Sequence, residues 1–468
     1  MNDFMVLMKN ELAATAIILL LLFIKIGRGM KNEALLQLIQ VLLLGNFLLG
    51  FFLNQTGWLF GDMFNTSPML VLMKSILSLA VYLISLVCAD WLKKTEHLAE
   101  FFLLMLSALL GMYFMISAGN LLIFYLALEL ATIPIAAMAN FDLQKKIASE
   151  AAMKMILSSA FSSGILLFGI SLMYGATGTI SFSEIPHHLD GSAFQVLAFV
   201  LMVTAFAFKL SIVPFHLWTA DVYEGSPVAV TSFLSVVSKG SIAFVFILAL
   251  YKVFRPMEEV WYNMLVLLAI VTMVIGNLFA LRQQNIKRFL AFSSIAQVGF
   301  ILVGMSGAEK NAGLSPVIYF VLIYVFSNLA AFGVVSAISE QSSKENIDDY
   351  KGLYKTNPFL SWMMALALFS LAGIPPTAGF FGKLFLIGAG ASKGAYWFII
   401  IAALNMIVSL YYYLRVVRAM FMEKNLQPVD RITLQPAVRF GLLLCGTGIL
   451  LVGVLSWVYD YIVQLTTQ

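Results

Sequence analysis

The sequence predicts an all-α integral membrane protein with about fourteen transmembrane helices. Two observations lead to this prediction. Of the 468 residues, 61% are apolar and only 11% are charged, whereas soluble domains are about half apolar and a quarter charged. The apolar residues also fall into runs of about twenty, the length that a helix needs to cross a hydrocarbon core about 30 Å thick.

The apolar runs define fourteen predicted helices, numbered 1 to 14 in chain order. They cover residues 11–27, 34–53, 69–90, 99–117, 119–140, 151–174, 195–216, 227–253, 259–281, 287–306, 315–339, 358–388, 395–420 and 437–463. We interpret residues 1–468 as a single polytopic domain. It divides into N-terminal helices within 1–98, a first group within 99–253, a second group within 259–420 and a last helix at 437–463.

The distribution of lysine and arginine predicts the orientation. The connections that follow odd-numbered helices carry most of these residues, whereas the long connections 54–67 and 175–192 carry none. Basic connections stay in the cytoplasm, so both termini should lie on the outer side. The formal net charge of +4 and the absence of a basic run give no indication of a nucleic-acid partner.

Two predicted helices contain proline breaks, at Lys209–Pro214 in helix 7 and at Gly373–Gly379 in helix 12. Proline inside a span frees carbonyl groups, which a bilayer tolerates only inside protein or beside water. The two breaks are five helices apart, which is the spacing of two five-helix repeats, and such pairs are typical of the ion path of a transporter. The alternative is that prolines are simply commoner in membrane helices.

We single out six ionisable side chains within the predicted helices; a charge at bilayer depth costs about 2.5–3.5 kcal/mol, so function is the default hypothesis. Lys154 lies one turn inside the cytoplasmic end of its helix, where extension to the headgroups is an equal alternative. Lys74 lies near the outer end of its helix, and there we favour extension to the headgroups. The six residues are Lys74, Glu129, Lys154, Lys209, Lys239 and Lys383.

The deep charges suggest a proton relay. A lysine buried alone loses its proton readily, while a nearby carboxylate restores the charged form. A Glu129–Lys209 pair that opens and closes would therefore switch Lys209 between holding and releasing a proton. Lys239 could accept that proton through water and Lys383 could pass it outward, with freed carbonyls at the breaks solvating the ammonium groups. A static structural ion pair is the alternative.

No redox or nucleotide-binding apparatus is predicted on this chain. The sequence has no CxxC cluster, no P-loop and no GxGxxG motif between a strand and a helix. We therefore expect neither a cofactor site nor a metal site here, and the energy for proton movement should come from another chain or another gradient.

Five stretches of helices 5 to 12 resemble the antiporter-like membrane subunits of bacterial complex I, the proton-pumping NADH:quinone oxidoreductase. Within them the variant Asp221–Gly225 resembles the subunit N branch rather than subunits L and M or the multisubunit cation/proton antiporters. The stretches are Tyr125–Leu130, Ala207–Pro227, Thr231–Lys239, Asn285–Ser294 and Leu371–Lys383.

The resemblance implies two inverted five-helix repeats, helices 4–8 and 9–13, with helices 7 and 12 broken. It also implies a proton-translocating role for five of the charged residues. At position 297 this sequence has glutamine where family members often have histidine, and an amide organises water but does not hold a proton. The five residues are Glu129, Lys154, Lys209, Lys239 and Lys383.

The resemblance further implies the surroundings of the chain. FMN, iron–sulfur clusters and quinone are expected in partner subunits, with subunit M and a cluster of small subunits as neighbours in the bacterial inner membrane. Two other functions stay open on the sequence: a subunit of a multisubunit cation/proton antiporter, and a structural anchor whose charges only hold neighbouring helices together.

Overall fold

The computed structural model describes residues 2–27, 29–307, 312–425 and 427–467. These residues form a bundle of long helices, which we number α1 to α14, with a and b for the halves of a broken helix. The bounds are α1 Lys9–Ile26, α2 Asn32–Leu49, α3 Pro68–Val87, α4 Leu98–Ile116, α5 Leu121–Ala139, α6 Lys146–Thr177, α7a Ala193–Leu210, α7b Leu217–Gly225, α8 Val228–Val253, α9 Glu258–Arg282, α10 Ile286–Met305, α11 Leu314–Ser342, α12a Pro358–Ala372, α12b Ala378–Gly390, α13 Tyr396–Met422 and α14 Pro436–Val454.

Twelve helices of the described ranges are long and apolar enough to cross a membrane. Among the numbered helices, α1, the nine-residue α7b and the two halves of α12 do not meet this criterion. Helix α1 carries Lys9, Glu11 and Lys25, and the halves of α12 have only 15 and 13 residues because the break divides them.

The two ends of the bundle differ in charge. We call one end the basic face, because the connections from α3 to α4 and from α5 to α6 place Lys93, Lys94, Lys145 and Lys146 there. The other end, which carries the connections 54–67 and 175–192, we call the opposite face.

The fold is mostly helical, as predicted, but one connection at the opposite face contains two short strands that the sequence did not predict. Strands β1 (Gly57–Leu59) and β2 (Phe64–Thr66) pair as an antiparallel hairpin. The hairpin is attached to the end of α4, because the N–H of Asn65 donates to the carbonyl of Ser117 at 2.8 Å and the N–H of Gly119 donates to the carbonyl of Met63 at 2.9 Å. Strands of three residues are too short to show an alternating pattern in the sequence.

The breaks in the seventh and twelfth helices lie where the sequence predicts them. Helix α7a ends at Leu210, where Ser211 has a φ of 65°, and α12a ends at Ala372, where Gly373 has a φ of 87°. Each break contains proline, which has no N–H to continue the helix. At the second break the backbones approach so closely that a Cβ on Gly379 would lie 1.8 Å from the carbonyl oxygen of Ser370.

The helix pairs α4–α5 and α9–α10 cross in the same way. A Cβ added to Gly111 of α4 would lie 2.6 Å from the backbone nitrogen of Ala131 in α5. A Cβ added to Gly276 of α9 would lie 2.7 Å from the corresponding nitrogen of Ala296 in α10. Small residues let membrane helices approach this closely, so each of these two helix pairs has one close backbone approach at a glycine.

Candidate functional site

Three lysines predicted to be functional lie in the interior of the bundle, on α7a, α8 and α12b, whereas the predicted glutamate, Glu129 of α5, is partly exposed. The side chains of Lys209, Lys239 and Lys383 are buried, although lysine is almost never buried without a partner. None of the three forms a salt bridge within the described part of the chain; their hydrogen bonds go to hydroxyl or carbonyl oxygens. These lysines are therefore held by neutral oxygen atoms rather than by fixed carboxylates.

Lys209 contacts a threonine instead of the predicted glutamate. Its Nζ donates to Oγ1 of Thr132 at 2.7 Å, while Oε1 of Glu129 is buried without a hydrogen-bond partner among the described residues. Thr132 lies one turn further along α5 than Glu129, on the same side of the helix. The predicted Glu129–Lys209 ion pair is thus open in this structure. Lys209 instead contacts the residue that lies one helical turn beyond Glu129 in α5.

Within the described residues, no carbonyl at the break in α7 accepts a hydrogen bond from Lys209. The carbonyl of Phe208, at the end of α7a, accepts hydrogen bonds from the N–H of Ser211 and from Nε1 of Trp218, both at 3.0 Å. The indole satisfies the carbonyl because α7b turns back beside the end of α7a. The carbonyl is therefore used for joining the two halves of the helix.

A small cavity lies next to Lys209, and we call it the inner cavity. Its volume is about 20 Å³, which is room for one water molecule, since a site needs about 10–15 Å³. Its walls bring α5, α6, α7a and α8 together, so a water there would connect Lys209 with the helix that carries Lys239. Its polar lining consists of Thr132, Ser159, Lys209, Ser238 and Ser241.

Lys239 lies where α8 contains a π-helical turn, Leu234–Ser238. Such turns are rare and are frequent at functional sites. The Nζ of Lys239 donates to Oγ of Ser294 in α10 at 2.8 Å and lies 5.5 Å from the ring centre of Tyr223. Lys239 thereby links the first helix group to the second.

Lys383 lies at the break in α12, as predicted. Its Nζ donates to the carbonyl oxygens of Leu371 and Ala372, at 2.6 and 3.3 Å. These carbonyls end α12a, and the negative end of a helix dipole favours a cation. Gly373 leaves room for the lysine chain, because a Cβ there would lie 3.2 Å from Cδ of Lys383.

Helix α10 connects the two lysine sites. Ser294 accepts from Lys239, and Gln297 lies one turn further along the same helix. The Nε2 of Gln297 donates to the carbonyl of Leu371 at 2.9 Å and to the hydroxyl of Tyr413 at 3.1 Å. The carbonyl of Leu371 therefore accepts from both Gln297 and Lys383, so one helical turn of α10 spans the distance between the two lysines.

We expect Gln297→Leu to slow proton translocation about tenfold, because removing the amide leaves no polar side chain between Ser294 and the carbonyl of Leu371, and an unmade buried hydrogen bond costs about 1–3 kcal/mol. NADH-driven proton uptake into membrane vesicles measures the effect. Gln297→His, which keeps a donor at this position, is the matched variant and should retain most of the uptake. Equal uptake in Gln297→Leu and the unchanged protein would contradict this role.

Lys154 lies apart from Lys209, Lys239 and Lys383, at the basic face. Its Nζ contacts carboxylate oxygens of Asp221 at 2.6 Å and of Glu150 at 2.7 Å. Asp221 also pairs with Arg288 at 2.9 Å, and Arg288 contacts Glu224 at 2.6 Å. These charges join the ends of α6, α7b and α10, so Lys154 belongs to a surface ion network in this structure.

The position of Lys74 corrects the prediction that it extends to the headgroups. Lys74 is buried, and its Nζ pairs with Oε1 of Glu11 at 2.5 Å. The pairing depends on tertiary packing, which places Glu11 of α1 against Lys74 of α3, 63 residues away in sequence. Glu11 was missed because it lies at the very start of an apolar run, where a charge normally faces water.

A histidine at the first break is a further residue that sequence reasoning missed. His216 is buried between the two halves of α7, and neither ring nitrogen has a hydrogen-bond partner among the described residues. Its ring centre lies 6.4 Å from that of Phe279. Its position directly after the proline break was the available signal.

The arrangement of broken helices and buried lysines defines a class of membrane transport protein, and comparison with known proteins agrees. Residues 118–409 match the family described as "NADH:quinone oxidoreductase/Mrp antiporter, TM". The matched segment contains Glu129, Lys154, Lys209, Lys239 and Lys383. The chain therefore belongs to this family.

Within the family the chain is similar to NADH-quinone oxidoreductase subunit N. It is 46% identical to that subunit from Phocaeicola vulgatus, over 97% of each chain. It is 47% identical to the subunit from Azobacteroides pseudotrichonymphae, over 87% of this chain and 85% of the relative.

Two solved structures have a similar fold. A chain of respiratory complex I from Thermus thermophilus with bound aureothin superposes with a TM-score of 0.81 and 26% identity, covering 96% of this chain and 97% of that chain. A chain of the Mrp complex from Dietzia sp. DQ12-45-1b superposes with a TM-score of 0.85, covering 98% of this chain and 96% of that chain. At 20% identity, the second likeness concerns the fold alone.

Proposed function

We propose that the chain is the proton-translocating subunit N of a bacterial NADH:quinone oxidoreductase. The observation that carries the proposal is the row formed by Lys209, Lys239 and Lys383, three buried ammonium groups held only by neutral oxygens. Burial disfavours a charged lysine, so a proton on such a group is easily released to the next one. The similarity to subunit N supplies the assignment to this oxidoreductase.

The relay starts at Glu129 and Lys209. When the carboxylate of Glu129 moves by the length of one helical turn and pairs with Lys209, it favours the protonated lysine. In the open arrangement Lys209 donates a hydrogen bond to Thr132, and its proton is free to pass through a water in the inner cavity towards Lys239. Opening and closing of the ion pair is therefore the step that an energy source must drive.

The second half of the relay runs along α10. A proton released from Lys239 passes Ser294 and the waters that Gln297 organises, and reaches Lys383 on the carbonyls of α12a. Moving one charge against 100 mV costs about 2.3 kcal/mol. That energy comes from quinone reduction in partner subunits, which carry FMN and the iron–sulfur clusters. We expect subunit M and a cluster of small subunits as the neighbours.

The proposal includes a topology. It has fourteen spans, with α1 and the broken α12 added to the twelve long apolar helices. It has two inverted repeats, α4–α8 and α9–α13, which the matching crossings at Gly111 and Gly276 support. The basic face lies in the cytoplasm of a bacterium, so both termini lie on the outer side of the inner membrane.

The second candidate is a subunit of a multisubunit cation/proton antiporter, favoured by the likeness in fold to the Mrp complex chain. Purification of the tagged chain from its own membranes in mild detergent separates the two functions. We expect co-purification of flavin and iron–sulfur subunits, visible as FMN fluorescence and iron content. Recovery of only small hydrophobic subunits, with neither flavin nor iron above an untagged control, would favour the antiporter instead.

A further inference from the structure

A second, larger cavity opens at the opposite face beneath the β-hairpin, and we call it the hairpin cavity. Its volume is about 270 Å³, and its walls include Trp58 of β1 and His187 of the connection from α6 to α7a. It extends down between α5, α7a and α8, which are also the helices that carry Glu129, Lys209 and Lys239. Water at the opposite face can therefore approach the relay from this side.

Three stacked phenylalanines lie at the hairpin cavity, on the helices that also carry Glu129, Lys209 and Lys239. The ring centres of Phe124 and Phe206 are 5.4 Å apart, and those of Phe206 and Phe246 are 4.8 Å apart, with 18° between the ring planes in each pair. All three side chains are buried. Phe124 and Phe206 line the floor of the hairpin cavity, and Met115 contributes to the walls of both cavities.

Each phenylalanine lies on the opposite-face side of a relay residue in its own helix. In α5, which begins at the opposite face, Phe124 precedes Glu129; in α7a, Phe206 precedes Lys209. In α8, which ends at that face, Phe246 follows Lys239. At 1.5 Å per residue the rings lie roughly 5–10 Å above the charged positions. The stack thus lies on the opposite-face side of Glu129, Lys209 and Lys239.

Resting on the proposed function, we propose that Phe124, Phe206 and Phe246 form a dry barrier that closes the first half of the relay towards the opposite face. A constriction lined only by apolar rings excludes water and so interrupts any chain of hydrogen bonds. A proton on Lys209 then has a route through the inner cavity to Lys239, but none through the hairpin cavity. The barrier determines that the proton moves sideways within the membrane.

Passive proton flux tests the barrier without turnover. The purified complex is reconstituted into liposomes that contain a pH-sensitive dye, a pH step is imposed, and potassium with valinomycin removes the membrane potential. Phe206→Ala removes the central ring, and we expect the proton flux per complex to rise about tenfold because the gap becomes wide enough for water. Phe206→Leu keeps an apolar side chain and should leave the flux near that of the unchanged protein.

Phe199→Ala is the matched control, because Phe199 is buried in the same helix but contacts Phe254, nearer to the opposite face. Its flux should not rise. The barrier is refuted if assembled Phe206→Ala is as tight as the unchanged protein, or if Phe199→Ala leaks equally. Phe124→Ala, in a different helix, serves if Phe206→Ala does not assemble; if neither assembles, the rings are structural and the assignment falls.

The passive-flux measurement tests the barrier separately from the proposed proton relay. Passive flux requires no NADH, so a failure of the lysine row to pump does not affect the comparison between Phe206→Ala and its control. Conversely, two results together would overturn the barrier and leave the proposed function in place. The Phe206→Ala complex would show no increase in passive proton flux, and the Lys209→Ala complex would lose NADH-driven proton uptake.

Discussion

Lys239→Ala should slow proton transfer along this chain about a hundredfold while the complex still assembles. Alanine leaves no group that can hold a proton between the inner cavity and Ser294. A charge at bilayer depth without such a group costs about 2.5–3.5 kcal/mol. Since about 1.4 kcal/mol of barrier is a factor of ten in rate, this cost corresponds to about a hundredfold. The measurement is NADH-driven proton uptake in membrane vesicles, normalised to the amount of assembled complex.

Two further variants separate a relay from a structural anchor. Lys239→Arg keeps the positive charge, but a guanidinium does not release its proton in a protein, so it should assemble and fail to translocate. Lys252→Ala, in the same helix but exposed at the opposite face, is the matched control and should translocate normally. Normal uptake in Lys239→Arg would contradict the relay, and loss of assembly with residual uptake intact would favour the anchor.

Lys74→Ala should destabilise the N-terminal helices by about 3–5 kcal/mol, because it leaves the carboxylate of Glu11 buried without its partner. We expect a strong drop in the amount of assembled complex and a lower midpoint of thermal aggregation in detergent. Glu11→Ala should have a similar effect from the other side of the pair.

The double variant Glu11→Leu, Lys74→Met should recover much of that loss, since replacing both members of a buried ion pair by apolar groups is often neutral. Lys93→Ala provides the matched control: Lys93 pairs with Glu33 at 2.8 Å, but both side chains are partly exposed, and such pairs contribute about 0–1 kcal/mol. If Lys74→Ala is as stable as Lys93→Ala, water reaches the Glu11–Lys74 pair, and the pair does not stabilise the N-terminal helices as expected.

The positions of the helices and of the two breaks were predictable from the sequence. Whether a segment enters the bilayer depends on the summed hydrophobicity of its own residues, and whether a helix breaks depends on local residues such as Pro214 and Gly373. Both properties depend on residues that are close together in the sequence. The boundary of α6 was less accurate, since the helix begins at Lys146 rather than at 151, because its first turn is polar and gives no apolar signal.

The partners of the charged side chains were not predictable. Lys209 meets Thr132 rather than Glu129, and Lys74 is buried rather than extended towards the headgroups. Each outcome depends on the rotation and depth of one helix against another: a shift of a single turn exchanges the glutamate for the threonine. Hydrophobicity does not encode that register, because the lipid-facing and protein-facing sides of these helices are almost equally apolar.

The sequence by itself determined which segments cross the membrane, where two of them break, and which residues carry charge into the hydrocarbon. Only the tertiary structure decided that Lys209, Lys239 and Lys383 form a row, that Gln297 and Lys383 share the carbonyl of Leu371, and that three phenylalanines stack on the opposite-face side of Lys209 and Lys239. The physical reason is the range of the interactions. Insertion and helix breaking are settled within a few turns of one chain segment, whereas these contacts join residues up to 82 positions apart.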